Sequence, residues 1–94
     1  MKTSGADYNQ AFGRVIRNQR KASGYSQEKL GFEAGYDRSY ISLIERGLCS
    51  PTLSTIMSLC AALEVSLVQI AQAVETTLQI EKNGNRSNSP TGAD

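Results

Sequence analysis

The stretch that most constrains the fold is Ser26–Gly47, which contains two helical patterns separated by a glycine. Ser26 precedes the first pattern, and its hydroxyl can accept a hydrogen bond from a backbone amide of the first turn. Leu30 and Ala34 lie four residues apart and would share the inner face of this helix, which we number helix 2. Gly35 follows as a left-handed C-cap, so the stretch predicts a short helix that ends abruptly at this glycine.

The second pattern of the stretch begins at Asp37, whose carboxylate can cap a helix and suits the positive end of its dipole. Ile41 and Ile44 would face inward on this helix, numbered helix 3, and Gly47 would end it. The other faces of helix 3 carry Arg38, Ser39, Ser42 and Leu43. Helix, glycine-containing turn and helix together form the helix-turn-helix pattern.

The same stretch resembles the DNA-binding motif of the Cro/phage-repressor (XRE-like) family of bacterial and phage regulators. The residues that carry the resemblance are Ser26, Gln27, Glu28, Leu30, Ala34, Gly35, Ile41, Ser42, Glu45, Arg46 and Gly47. The hexapeptide at residues 37–42, with Glu45 and Arg46, is most similar to the controller proteins of restriction–modification systems. The resemblance covers roughly residues 10–75 and implies a compact, all-α, five-helix domain like that of the lambda repressor.

The remainder of the chain predicts three more helices and two polar ends. Helix 1 is expected over residues 9–22, helix 4 after a Thr52 cap, and helix 5 from Ser66 to about Gln79. Residues 1–8 predict a flexible N-terminal arm, residues 9–80 a DNA-binding and dimerisation domain, and residues 81–94 a disordered tail. The sequence has neither an apolar signal segment nor a membrane-spanning run, which favours a cytoplasmic location.

Charge is distributed unevenly along the chain, although the formal net charge is only +1. Residues 14–46 hold seven Arg and Lys side chains against four Asp and Glu, whereas residues 47–94 hold two against four. The positive part contains the motif, as a DNA-facing surface requires. Two cysteines and no histidine exclude His-containing zinc sites and catalytic triads, and no phosphate-binding glycine loop is present. We therefore expect no enzyme, no metal and no cofactor.

The family resemblance implies that the N-terminal part of helix 3 enters the major groove and contacts bases. The predicted base-contacting residues are Arg38, Ser39, Ser42 and Leu43. Arg38 can bond O6 and N7 of a guanine, a contact that provides about 1–3 kcal/mol of discrimination. Ser39 can donate to or accept from a neighbouring base or phosphate. Leu43 suits a thymine methyl group, and the alternative that it joins the core stays open.

A second set of residues is expected to contact the DNA backbone: Gln27, Tyr40, Arg46, Ser50 and Thr52. The resemblance implies that Gln27 bonds a phosphate beside the N-terminal amides of helix 2. Tyr40 is equally consistent with a phosphate contact and with a packed surface ring. The resemblance also implies a structural ion pair between Arg20 and Glu45, which would tie helix 1 to helix 3.

Helix 5 carries an apolar stripe that extends beyond what a five-helix monomer needs. We interpret the stripe as a homodimer surface formed by Leu67, Ile70, Ala71, Val74 and Leu78. Dimerisation is a common remedy for the limited core of a chain of 94 residues. The alternative is a helix that packs onto its own monomer.

Together these features predict a homodimeric, sequence-specific transcriptional regulator that binds double-stranded DNA at a near-palindromic operator. The controller resemblance adds a restriction–modification operon as the regulated target, with a phage-type repressor or an antitoxin as alternatives. A protein-interaction module without DNA binding is the alternative from a different class. Neither a membrane nor a small-molecule effector is expected as a partner.

Overall fold

Five helices build the part of the chain that the structure describes. The computed structural model describes residues 4–87, with side chains for residues 4–81. The helices are α1 (Gly5–Ala22), α2 (Gln27–Ala34), α3 (Arg38–Glu45), α4 (Leu53–Leu63) and α5 (Leu67–Ser87), which confirms the all-α, five-helix prediction. In these residues no single helix is long and apolar enough to span a membrane; α4 and residues 67–81 meet that length and composition only as a pair bent by 104°.

The first helix begins four residues earlier than the sequence suggested, at Gly5. Ser4 caps it, because Ser4 Oγ accepts from the Asp7 amide at 3.2 Å while the Asp7 carboxylate accepts from the Ser4 amide at 3.1 Å. This reciprocal capping box stabilises the first turn. Residues 5–8, which the sequence assigned to a flexible arm over residues 1–8, thus belong to α1 in the structure, and residues 1–3 lie outside the described part.

The last helix is also longer than expected and continues to Ser87. It packs along α1 of its own chain, and Glu81 Oε2 lies 2.9 Å from Nη1 of Arg14 on α1. The inner side of α5 therefore packs onto its own monomer, which is the alternative that the sequence left open for the apolar stripe. Residues 81–87, which the sequence assigned to a disordered tail over residues 81–94, belong to this helix in the structure, and residues 88–94 lie outside the described part.

A single apolar cluster holds all five helices together. Its buried members are Phe12, Val15, Ile16, Leu30, Ile41, Ile44, Leu59, Cys60, Leu63 and Ile70. Ile41 and Ile44, the inward residues that the sequence assigned to helix 3, are both in this set. Burial of apolar surface is the main favourable term in folding, so the inner side of α3 is fixed to the rest of the domain.

The turn between α2 and α3 depends on two glycines. Gly35 adopts the left-handed conformation, with φ of 87°, as the sequence predicted. The amides of Gly35 and Tyr36 both donate to the Gly31 carbonyl at 2.8 Å, which closes the end of α2. A Cβ on Gly31 would lie 2.4 Å from the Tyr36 carbonyl oxygen, so this glycine lets the turn fold back tightly on the helix.

The backbones of α1 and α3 approach each other at Gly13. A Cβ at this position would lie 2.4 Å from the Ile44 carbonyl oxygen and 2.6 Å from that of Glu45. Just before the N-terminus of α3, the Tyr36 hydroxyl shares a hydrogen bond of 3.0 Å with Thr55 Oγ1 on α4. The inner side and both ends of α3 are thus held by neighbouring elements, while its outer side remains open.

Candidate nucleic-acid interface

The outer side of α3 gathers the residues that the sequence assigned to base contacts. One shallow depression on the surface is lined by Arg38, Ser39, Ser42, Leu43 and Arg46. Leu43 is 36% exposed, whereas the inward residues of the same helix are fully buried. Leu43 therefore lies on this outer face and does not join the core. Arg38 in the first turn and Arg46 just after the last turn place a positive charge at each end of the face.

The N-terminus of α3 is capped by Asp37, which engages Ser39 twice. Asp37 Oδ2 accepts from the Ser39 amide at 2.8 Å and also from the Ser39 hydroxyl. These two hydrogen bonds, followed by the nearby charge of Arg38, hold the pKa of Asp37 below its ordinary value. At neutral pH Asp37 is therefore an ionised acceptor, and the Ser39 hydroxyl is the donor in their contact.

The C-terminal turn of α3 is tied to α1 through Glu45. Arg20 Nε donates to Glu45 Oε2 at 2.6 Å, and Arg20 Nη2 donates to Glu45 Oε1 at 3.1 Å. Both residues are buried, so the predicted pair between helices 1 and 3 is present in bidentate form. Arg20 Nη1 also donates to the Tyr25 carbonyl at 2.8 Å, which fixes the loop before α2 to the same guanidinium.

Gln27 takes part in this network, which sequence reasoning missed. Its Nε2 donates to Glu45 Oε1 at 3.1 Å across a sequence separation of 18 residues. No pattern within helix 2 signals a contact of that range. The side-chain amide carries a second hydrogen, so a phosphate contact by Gln27 remains a prediction that is chemically compatible with the bond to Glu45.

The other predicted backbone contacts lie in different surroundings. Tyr40 is half-buried, and its ring lies 5.2 Å from the Tyr36 ring between centroids, which matches the packed-ring alternative. Thr52 caps α4, because its Oγ1 accepts from the Thr55 amide at 3.2 Å. Ser50 is exposed in the loop before α4. Phosphate contacts by these residues stay predictions.

The predicted dimer stripe of α5 divides into an inner and an outer side. Ile70 is only 2% exposed and belongs to the core, so its assignment to a dimer surface is wrong: its own chain covers it. Val74 packs against the same core, and Leu78 is half-buried. Three exposed apolar residues, Leu67, Val68 and Ala71, lie together at the start of α5, and Ile80 is exposed near its other end. Val68, 65% exposed, was not in the predicted stripe.

Comparison with known families agrees with this arrangement of helices. A family model described as helix-turn-helix matches residues 16–70, which contain α2, α3, α4 and the whole outer face of α3. The chain belongs to the helix-turn-helix family. The predicted resemblance is thus confirmed over more than half of the sequence.

A curated relative of this helix-turn-helix protein is the HTH-type transcriptional regulator SlrR of Bacillus subtilis, with 41% identity over 71 residues. The match covers 74% of this chain and 45% of SlrR, so the chain spans less than half the length of that relative. Its relatives are regulators of transcription, in agreement with the prediction that the chain is not an enzyme.

Solved structures of restriction–modification controller proteins are similar to this helix-turn-helix protein. C.AhdI from Aeromonas hydrophila has a TM-score of 0.65 and 39% identity, covering 66% of this chain and 94% of its own. C.Esp1396I, solved as a tetramer in complex with its natural 35-base-pair operator, has a TM-score of 0.72 and 29% identity. That match covers 77% of this chain and 95% of the controller. The controller proteins named from the hexapeptide are therefore similar in both sequence and structure.

Proposed function

We propose that this protein is a sequence-specific DNA-binding transcriptional regulator that reads its operator with the outer face of α3. The observation that carries the proposal is the division of α3 into two sides. The inner side buries Ile41 and Ile44 and ties Glu45 to Arg20, whereas the outer side presents five groups along one depression. The major groove of B-DNA admits an α-helix, and a helix fixed from behind keeps its outer groups in register with base edges.

The chemistry of the outer face assigns each group a partner on DNA. The Arg38 guanidinium is exposed in the first turn of α3 and can bond a guanine through both O6 and N7. Ser42 lies one turn further along the helix, and Leu43 offers an apolar surface to a thymine methyl group. Arg46 and Gln27 supply charge and a hydrogen-bond donor to phosphates, which position the helix without reading sequence.

We further propose that the protein acts as a homodimer on a near-palindromic operator. The operator complex of C.Esp1396I, which contains four protein chains, supports an oligomeric mode of binding for a similar protein. The outer side of α5 supplies an apolar surface for a second copy, formed by Leu67, Val68 and Ala71. A two-fold axis would set two copies of α3 one helical turn of DNA apart, about 34 Å.

Sedimentation tests this dimer surface directly. Val68→Asp places a charge in the proposed interface, and we expect it to convert the dimer to a monomer at micromolar concentration. Phe32→Asp is the matched control, because Phe32 on α2 is 80% exposed and lies outside the proposed surface. A dimer that survives Val68→Asp, or a wild-type chain that sediments as a monomer, would exclude this interface.

The regulated target that we propose is a restriction–modification operon in the cytoplasm of a bacterium. The similarity to C.AhdI and C.Esp1396I favours this target over a phage-type repressor or an antitoxin. The gene neighbourhood separates these possibilities: an adjacent methyltransferase and endonuclease support the controller role, and an adjacent toxin gene contradicts it.

Selection from a random double-stranded DNA pool tests the function as a whole. We expect the wild-type protein to enrich an inverted repeat, and Arg38→Ala to lose the preference for guanine at one position in each half-site. Arg14→Ala is the matched control, since it removes the same charge from an exposed position on α1 whose side chain pairs with Glu81 of α5. If the wild-type protein enriches no sequence, DNA recognition is wrong and a protein-interaction module becomes the better description.

A further inference from the structure

The hydroxyl of Ser39 lies on the outer face of α3 but its single proton is already in use. A serine hydroxyl has one hydrogen to donate and two lone pairs that accept. The hydrogen of Ser39 points to Oδ2 of Asp37, the carboxylate that also accepts from the Ser39 amide. Because an ionised carboxylate only accepts, the direction of this hydrogen bond is fixed. What Ser39 presents to a ligand in front of α3 is therefore a pair of acceptor lone pairs.

We infer that Ser39 is a specificity-determining residue that reads DNA only as a hydrogen-bond acceptor, and so selects adenine or cytosine over guanine or thymine on the strand it faces. This inference rests on the proposed function, because it requires α3 to lie in the major groove. It assigns Asp37 a positioning role, since Asp37 acts on DNA only through Ser39.

The major groove offers the chemical distinction that such an acceptor needs. Adenine presents its N6 amino group there and cytosine its N4 amino group, and both groups donate. Guanine presents O6 and N7 and thymine presents O4, and all of these accept. An acceptor-only hydroxyl can therefore bond the two amino bases and meets only lone pairs on the two keto bases.

The acceptor-only character of the Ser39 hydroxyl also decides between the two roles that the sequence left open for this residue, a base contact and a phosphate contact. A phosphate oxygen is an acceptor, so a hydroxyl whose proton is committed to Asp37 cannot donate to it. The surface position agrees with a base contact, because Ser39 shares one depression with Arg38, Ser42 and Leu43. Ser39 is thus a base-reading residue and not a phosphate contact.

The experiment compares base preferences selected by four proteins from one randomised half-site pool: wild type, Ser39→Ala, Asp37→Ala and Asp37→Asn. The position read by Ser39 is the one whose preference Ser39→Ala removes. At that position we expect wild type to favour adenine and cytosine over guanine and thymine by about three- to tenfold, the range that one hydrogen bond supplies. Asp37→Ala frees the hydroxyl to donate, so this ratio should fall towards one while the guanine preference of Arg38 persists.

Asp37→Asn is the matched control, because an asparagine cap keeps a side-chain oxygen that accepts from Ser39 without the charge. It should retain the preference for amino bases. A second measurement avoids any variant that fails to fold: wild-type protein is titrated with operators in which the amino group at the Ser39 position is removed, by purine for adenine or by 2-pyrimidinone for cytosine. Affinity should fall about three- to tenfold, and the same change at an uncontacted position should have no effect.

Three results would overturn the inference: a wild-type preference for guanine or thymine at the Ser39 position, an unchanged ratio in folded Asp37→Ala, or no position that depends on Ser39. Any of these can occur while the protein still selects an operator, which leaves the proposed function intact. Failure of the wild-type protein to enrich any sequence is a different outcome and contradicts the function itself.

Discussion

Arg20 on α1 and Glu45 on α3 form a bidentate ion pair that is buried beneath the proposed DNA-reading face, with N–O distances of 2.6 and 3.1 Å. The planar guanidinium matches the carboxylate geometrically and keeps a third contact to the Tyr25 carbonyl. Gln27 approaches the same carboxylate from α2, so one acidic side chain joins three helices. The presence of an acidic residue on the proposed DNA-reading helix is thus explained by its neighbours within the protein.

Glu45→Ala should destabilise the domain by about 3–5 kcal/mol, because it leaves the buried Arg20 charge without its partner. Glu45→Gln should cost less, since the amide oxygen still accepts a hydrogen bond. Glu33→Ala is the matched control, because it removes an exposed glutamate that pairs with Lys29 at 2.9 Å within α2. Urea denaturation midpoints measure the difference, and equal midpoints for Glu45→Ala and Glu33→Ala would contradict a buried structural role.

Gly13→Ala should destabilise the domain by about 1–3 kcal/mol, because its Cβ would lie 2.4 Å from a backbone carbonyl oxygen of α3. Gly5→Ala offers the matched comparison within the same helix, since a Cβ there meets nothing within 4 Å. We expect little change or a small gain for Gly5→Ala, because alanine favours a helix more than glycine does. Thermal unfolding of both variants checks the prediction, which fails if Gly13→Ala is as stable as Gly5→Ala.

Arg46→Ala should weaken binding to specific and random DNA by similar factors, because a phosphate contact carries no sequence information. The slope of the logarithm of the binding constant against the logarithm of salt concentration should become less steep by about 0.9. Arg14→Ala serves again as the control for loss of one positive charge, because Arg14 pairs with Glu81 on α5, and its slope should match wild type. Titrations at several salt concentrations measure both, and an unaltered slope for Arg46→Ala would argue against a phosphate contact.

Asp37, the N-cap of α3, should make the stability of the domain depend on pH in the acid range. Asp37 has a folded-state pKa below its ordinary value of 3.8, mainly because Ser39 donates two hydrogen bonds to the ionised form. A lowered folded-state pKa contributes stability that is present above the unfolded value and lost as pH falls through the folded value. The stability advantage of wild type over Asp37→Asn should therefore hold above about pH 4 and shrink at lower pH. Urea midpoints between pH 7 and pH 2 measure it, and a constant difference would contradict the assignment.

Local sequence rules predicted the helix-turn-helix because its ends are marked by residues with short-range roles. Ser26, Gly35 and Asp37 act on backbone groups within a few residues, and the structure has each of them as a cap. The inward positions of Ile41 and Ile44 follow from helical periodicity in the same way. The outer face of α3 then follows, since whatever the inner side does not bury must point outward.

The sequence-based predictions that the structure does not bear out fail for one of two reasons. They depend on contacts between distant parts of the chain, or on local motifs that lie in a segment of misleading composition. The Ser4–Asp7 capping box lies in a polar segment, and its three-residue spacing was outweighed by the overall polarity of residues 1–8. Periodicity placed Ile70 on the apolar stripe of α5, but it cannot say whether α1 or a second copy covers that stripe. Helix propensity alone assigns Gly31 a penalty of about 1 kcal/mol, whereas the structure shows that the Tyr36 carbonyl leaves no room for a Cβ.

The separation of α3 into a fixed inner side and an open outer side has a consequence for the evolution and redesign of this protein. Residues that set the fold and residues that line the depression are different sets on one helix. With the proposed reading of DNA by this face, new DNA targets can therefore be sampled by changing a few surface positions while the scaffold keeps its packing. This makes the chain a suitable parent for libraries of reprogrammed regulators that vary the depression and keep the packed core.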